Sequence, residues 1–226
     1  GQLEGDMSVH GFASGVQGKY VGFNNLRSRY LGVYGTWQDD SGLYADAVLQ
    51  GADYRSDLHT AGNATQARTK GSGWLASLEV GKPFALNSQW QIEPQAQLIY
   101  RKLSIDDTAL SLATVKTRAD DDWTLRLGAR IKGSFTTSAG VLQPYGRVNI
   151  YRASNTTDVA SFITPAAVTD IKAQGGYTAT ELATGASLQI NRRTSIYGEV
   201  GKLWAIGGNS RIKSGLQASV GVKVQW

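Results

Sequence analysis

An all-β fold is predicted for this chain of 226 residues: an up-and-down antiparallel β-barrel that crosses a membrane with strands. Three observations predict it. Apolar and polar residues alternate over segments near or above ten residues, whereas soluble strands usually run to about five or six. The connections between these segments are short and long in strict turn. No apolar stretch approaches the roughly 20 residues a helix needs to cross a bilayer. A mean hydropathy of −0.26 does not exclude a membrane, because barrel strands hide their apolar face in the alternation.

Ten strands are readable, near residues 6–17, 28–39, 42–57, 70–82, 89–103, 123–135, 140–152, 180–191, 194–204 and 215–226. In the fifth, Ile92, Pro94, Ala96 and Leu98 oppose Gln91, Glu93, Gln95 and Gln97. The sixth sets Leu125, Leu127, Ala129 and Ile131 against Arg126, Gly128, Arg130 and Lys132. In the last, Leu216, Ala218, Val220, Val222, Val224 and Trp226 share one face, with Gln217, Ser219, Gly221, Lys223 and Gln225 on the other. Short turns are expected at Asp39–Gly42, Phe84–Ser88, Thr136–Ala139 and Arg192–Arg193, and longer connections at 18–27, 58–69, 104–122, 153–179 and 205–214. Short turns at one end and long loops at the other are the pattern of an outer-membrane barrel. With ten strands, both termini are then expected on the short-turn, periplasmic side.

Composition narrows the function classes. With no Cys there is no disulfide scaffold, thiol nucleophile or Cys-ligated zinc. Two histidines, His10 and His59, do not suffice for a multi-histidine centre, so no metal site and no cofactor are expected. An excess of 23 Lys and Arg over 18 Asp and Glu is mildly basic and demands no nucleic-acid partner; no nucleic-acid motif is present.

The polar faces carry charges of both signs: Asp46, Glu79, Glu93 and Glu199, with Arg101, Arg126, Arg130, Arg147 and Lys223. Each would cost several kcal/mol if left unpaired in hydrocarbon, so they are expected to face a wet lumen. There they either satisfy one another and hold the register, or form a polar wall past which a polypeptide slides. Trp37, Trp74, Trp90, Tyr100, Trp123, Trp204 and Trp226 lie near strand ends, as in the aromatic belts of a membrane protein.

A hydrolase at the barrel rim is the competing reading. His59 lies two residues from Asp57, and Asp120–Asp122 forms a second acidic cluster; a His with a carboxylate partner could activate water. No GxSxG is present. Asp106–Asp107 and the Asp120 run lack the spacing of a dedicated Ca²⁺ loop. A passive porin is a third reading. In the longest connection, Val159, Phe162 and Ile163 either cap the barrel mouth or extend a hairpin outside.

Several segments carry a family resemblance. SGLYADAVLQGADY (41–54), GSGWLASLEVGKPF (71–84), WQIEPQAQLIY (90–100), RLGARIKG (126–133), LQPYGRVNIY (142–151) and TSIYGEVGKLW (194–204) resemble the translocator (β) domain of autotransporters, the type V secretion family. With the terminal GVKVQW they cover nearly the whole chain in the family's order. The resemblance implies a single outer-membrane barrel domain over residues 1–226, at the end of a larger precursor. It would permit an N-terminal passenger to reach the cell surface, and it would not be an enzyme. The family's barrel has twelve strands and a linker helix through its lumen. Met7–Gln17 fits the family's third strand, so the passenger, the linker helix and the first two strands are expected outside this sequence.

The resemblance also assigns residues. Glu93 and Gln95 in EPQAQ, Tyr145 and Arg147 in QPYGR, and Glu199 in YGEVG match lumen positions and are expected to contact the transiting linker. Val220, Val222, Val224 and the final Trp226 form the expected signal for the outer-membrane barrel assembly machinery. Other implied partners are outer-membrane lipid and the chain's own passenger with its linker helix. A closed barrel has no edges that require a second copy, so a monomer is expected.

Overall fold

The computed structural model describes residues 1–13, 15–61, 65–110, 113–209 and 214–224. Ten long strands dominate it: β1 (Gln2–Ala13), β2 (Val16–Gln38), β3 (Tyr44–Thr60), β4 (Thr65–Gly81), β6 (Trp90–Ile105), β9 (Asp122–Gly133), β11 (Gly140–Ala153), β14 (Tyr177–Gln189), β15 (Thr194–Gly208) and β16 (Gly215–Val224). Each pairs antiparallel with the next, in the order in which they are named. Short segments β5 (Phe84–Ala85) and β10 (Phe135–Thr137) pair onto β6 and β11 at the short-turn end. Among the described residues there is no helix, and β1 and β16 each keep one unpaired edge.

Alternation decides which face each side chain takes, because successive residues of a strand point to opposite sides. The outcome inverts a soluble protein. Among the described residues the buried hydrophobics are Ala67, Ala153, Val159, Ala179 and Ala183, while Glu93, Arg126, Asn149 and Glu181 are also buried. Leu31, Val33, Leu127, Leu182 and Val220 stand exposed, the last at 87%. An apolar face left open from β2 to β16 is stable only against hydrocarbon.

Aromatic residues mark the limits of that face. At the long end, Trp74, Tyr100 and Trp123 stack across three strands, with ring centroids 4.8 and 4.5 Å apart. At the short-turn end, Trp90 meets Phe135 edge-on at 5.5 Å. On β6 the two belts stand ten residues apart, at Trp90 and Tyr100. At about 3.3 Å per residue and a tilt of about 40° this spans roughly 25 Å, the height of a barrel's apolar band.

The short turns are as expected. Gly42 has φ 83°, which its lack of a Cβ permits. It lets the backbone close on Asp39: Gly42 N donates to the Asp39 carbonyl at 3.0 Å, and Leu43 N donates to the Asp39 carboxylate at 3.0 Å.

The longer connections differ from expectation in three ways. Residues 18–27 are not a loop: β2 runs back to Val16, and β1 ends at Ala13 instead of 17. The loops around 58–69 and 205–214 are likewise shortened, by β3 to Thr60, β4 from Thr65 and β15 to Gly208. Beyond the bilayer both faces of a strand meet water, so the alternation that marks a strand fades where the strand continues. The third difference is a second sheet. Segments 104–122 and 153–179 contain β7 (Thr108–Ala109), β8 (Thr114–Arg118), β12 (Thr157–Ile163) and β13 (Val168–Gln174), paired in the order β13-β12-β8-β7. Val159, Phe162 and Ile163 lie in this β12–β13 hairpin and pair across to β8.

Candidate functional site

The side chains opposite the apolar face form one continuous polar network. It starts on β3, where the Tyr44 hydroxyl lies 3.0 Å from Glu79 Oε1 and 2.9 Å from Glu93 Oε1. Gln95 Nε2 donates to that hydroxyl at 2.9 Å and to Glu93 at 2.7 Å. Arg130 Nη2 donates to both Glu93 oxygens, at 2.9 and 2.8 Å. Tyr44 stands directly opposite Gly81, where a Cβ would come within 2.6 Å of its hydroxyl. Glycine there allows the ring to lie flat on the wall and reach the two carboxylates.

Arg126 carries the network onward. It pairs with Glu79 at 2.8 Å, and donates to Gln97 at 2.9 Å, to Gln95 at 3.2 Å and to Asn149 Oδ1 at 3.1 Å. Asn149 is 2% exposed and is the joint between the two halves. Its Nδ2 donates at 2.8 Å to Glu181, which also accepts from Tyr151 at 2.7 Å, Arg147 at 3.2 Å and Gln217 at 2.9 Å. Arg147 reaches Glu199 at 2.9 Å, and Glu199 accepts from Tyr145 at 2.8 Å. Tyr145 repeats the first arrangement, lying over Gly185, its direct partner on β14.

Several of these contacts join strands two apart: Tyr44 on β3 to Glu93 on β6, Arg126 on β9 to Glu79 on β4, Arg147 on β11 to Glu199 on β15. Side chains meet in that way on the concave side of a curved sheet. Four carboxylates and three guanidiniums are thereby paired, and each pair is further held by amide or phenol groups. Charges withdrawn from water are thus paired, with Arg130 Nε and Arg147 Nε the guanidinium atoms left buried without a hydrogen-bond partner among the described residues.

Of the residues expected on this face, Glu79, Glu93, Gln95, Arg126, Arg130, Tyr145, Arg147 and Glu199 are brought together. Asp46 stands beside Glu79 in register, and its Oδ1 is buried without a hydrogen-bond partner. Lys223 is exposed, opposite Ser195, and takes no part in the network. Val220, Val222 and Val224 lie on the exposed apolar face of β16, while Trp226 lies outside the described residues. Sequence reading missed Tyr44, Asn149, Tyr151 and Glu181, and put Gln217 on the polar face of the last strand without naming it as a site residue. Glu181 was legible, being in phase with Ala183, Gly185 and Ser187 and out of phase with Leu182. Arg101, also expected here, pairs instead with Asp122 at the long end.

The groups of the rim-hydrolase reading have other contacts. His59 stacks on Phe23 at 4.6 Å, and Asp57 pairs with Arg68 at 3.2 Å. Asp121 contacts Tyr100 and Lys102. Asp120 accepts from Thr157 N at 2.9 Å while its own N donates to Asp158 at 3.1 Å. Asp121 ties the β8–β9 connection to β6, and Asp120 ties that connection to β12 of the second sheet. A cavity of about 690 Å³ lies beneath it, lined by Gln50, Tyr54, Leu75, Arg101, Asp120 and Asp158 among others. No group of three or more His, Cys, Asp or Glu suited to a metal ion occurs among the described residues.

Comparison with known proteins places this arrangement. The profile of the autotransporter β-domain matches residues 1–201. The BrkA autotransporter of Bordetella pertussis is 31% identical over 134 residues, 56% of this chain and 13% of that protein. The probable autotransporter YfaL of Escherichia coli is 28% identical over 196 residues, 86% of this chain and 14% of that one. The chain thus spans about one seventh of the length of such relatives. Among solved structures, the transport unit of the autotransporter AIDA-I from Escherichia coli is matched over 100% of this chain and 81% of that one, with a TM-score of 0.72 at 17% identity. The β-domain of BrkA is matched over 91% and 76%, with a TM-score of 0.61 at 21% identity. At those identities the likeness is one of fold.

Proposed function

The chain belongs to the autotransporter β-domain family, and on that premise we propose that its networked face lines the passage by which an N-terminal passenger leaves the cell. The domain is an outer-membrane translocator. A polar chain crossing hydrocarbon would leave its backbone groups without partners, at a cost of several kcal/mol each. A wall of alternating carboxylates, guanidiniums, amides and phenols offers partners of both signs in quick succession, so no single contact holds the chain back. The work is positioning and hydration; no bond is made or broken. The observation that carries this reading is the network itself, continuous from Tyr44 to Gln217 behind an outer face that is mostly apolar between the aromatic belts.

In this reading two further strands join the free edges of β1 and β16, closing a bore wide enough for a linker helix. Both termini lie at the short-turn, periplasmic end, and the second sheet stands at the cell surface. Outer-membrane lipid surrounds the barrel, and the assembly machinery takes it up through β16 and the residues that follow, Trp226 included. The closed barrel acts as a monomer.

The test narrows the bore without touching the outer face. In the full-length protein, Gln95→Trp with Gln217→Trp should leave an assembled barrel, seen as heat-modifiable electrophoretic mobility, and should stop surface exposure of the passenger to added protease. Passenger exposed at the wild-type level in that variant would contradict a passage along this face.

A further inference from the structure

A second site lies on the opposite face of β2–β4, above the aromatic belt. We infer that Arg27, Arg55 and Lys70 form a binding site for the phosphate groups of an outer-leaflet glycolipid headgroup, an inference that rests on the orientation proposed above.

Strand register makes the case. Glu4 stands opposite Arg27, Arg27 opposite Arg55, and Arg55 opposite Lys70, in one row across four strands. These residues share the outward phase of Leu31, Leu49 and Trp74, so they continue the lipid-facing side upward. All three cations are exposed. Like charges directly opposite one another destabilise a pair of strands. The rows on either side avoid this. Toward the strand tips Asp6 accepts from Asn25 at 2.8 Å and Asp57 pairs with Arg68 at 3.2 Å; toward the membrane Arg29 stands opposite Asp53. In the row itself Glu4 reaches only Arg27, at 3.4 Å. Among the described residues no carboxylate lies within salt-bridge distance of Arg55 or Lys70. The row encloses a groove of about 370 Å³, lined by Arg27, Arg29, Arg55 and Lys70 with Glu4 and Asp53. In the lining of that groove cations outnumber acids by two, and Asp106, whose N donates to the Lys70 carbonyl at 2.8 Å, stands next in the row beyond Lys70.

Height selects the occupant. Lys70 is four residues beyond Trp74 on β4, which at about 3.3 Å per residue and a tilt of about 40° puts the row roughly 10 Å above the belt. Phosphates of a membrane glycolipid sit in that layer. A guanidinium binds phosphate through two parallel hydrogen bonds and the ammonium adds a point charge, so a dianionic phosphate would relieve the repulsion across the row.

The test uses the full-length protein in zwitterionic detergent, titrated with diglucosamine bisphosphate glycolipid and with the same lipid stripped of phosphate, with bound lipid counted by native mass spectrometry. Wild type should prefer the phosphorylated form by at least about tenfold, and Arg55→Gln with Lys70→Gln should abolish that preference. Glu4→Gln, which frees Arg27, should tighten binding by about two- to threefold, so the inference stays testable even if the double variant folds poorly. Unchanged affinity in the double variant, equal binding of the dephosphorylated lipid, or equal binding of phosphatidylglycerol would overturn it. Orientation is read separately: with no native Cys, Ala166→Cys should react with an impermeant maleimide on intact cells and Ser41→Cys should not. The reverse labelling would overturn the orientation, and with it the glycolipid source, whatever the affinities.

Discussion

On β6, Ile92, Pro94, Ala96 and Leu98 face one way and Glu93, Gln95 and Gln97 the other. The polar set is the better enclosed: Glu93 is 4% exposed, whereas Leu98 is 44% exposed. The same inversion recurs on β9, where Arg126 is 9% exposed and Leu127 53%. A strand in water would show the opposite order, so the comparison identifies the solvent on each side. The outer solvent is hydrocarbon, and the charges inside are stable because they bond one another. The two faces should therefore answer differently to the same kind of change.

The largest effect is expected on the outer face. Leu127→Arg puts a charge near the middle of the apolar band and should cost about 2–4 kcal/mol of folding free energy in a bilayer, measured by reversible denaturant unfolding in lipid. A change of less than half a kcal/mol would mean that this face is not lipid-facing. Next comes the joint of the inner network. Asn149→Leu removes a partner from both Arg126 and Glu181 and should cost about 1–3 kcal/mol, in the same assay. Its neighbour on the outer face, Val148→Leu, should cost less than about 1.5 kcal/mol.

Smaller effects belong to the water-exposed ends. Asp120→Asn weakens the bond from Thr157 N that ties β12 to the β8–β9 connection. It should raise hydrogen exchange in β12 and β13 while costing the barrel less than about 1 kcal/mol. The smallest is a pH effect at the turn before β3. The Ser41 hydroxyl, with the Leu43 and Ser41 backbone N–H groups, holds the Asp39 carboxyl below its usual value of 3.8. Its contribution is therefore complete above that value and is lost as pH falls through the lower, folded value. Protection of the Leu43 amide should fade only in that acid range, and Ser41→Ala should move the loss to higher pH.

How much was legible in the sequence follows from the same contrast between faces. Where one side of a strand meets hydrocarbon and the other does not, period-two alternation is strict, and the strands through the bilayer were read within a few residues. Where β2 continues above the membrane through Asn24, Asn25 and Arg27, both faces are wet, polar residues occupy both, and the strand reads as a loop. The second sheet was hidden for a related reason. Its strands are short, as few as two residues at Thr108–Ala109, and its two local pairs are joined only by β8 to β12, segments far apart in sequence. The inner face was half legible. Phase alone points Glu79, Glu93, Arg126 and Arg147 inward, but that Asn149 joins two ion-pair clusters depends on register, which phase does not supply. Lys223 shows the converse, sharing the inward phase without entering the network.

Whether the passenger moves along the networked face is decided by neighbouring residues on opposite faces. A photo-crosslinking amino acid would be placed at Gln95 or at Ala96 in the full-length protein, with export stalled by a folded passenger. Crosslinks to the passenger's linker are expected from position 95 and none from position 96. Linker crosslinks from 96, or none from 95 while the stalled passenger is held in the barrel, would contradict passage along that face.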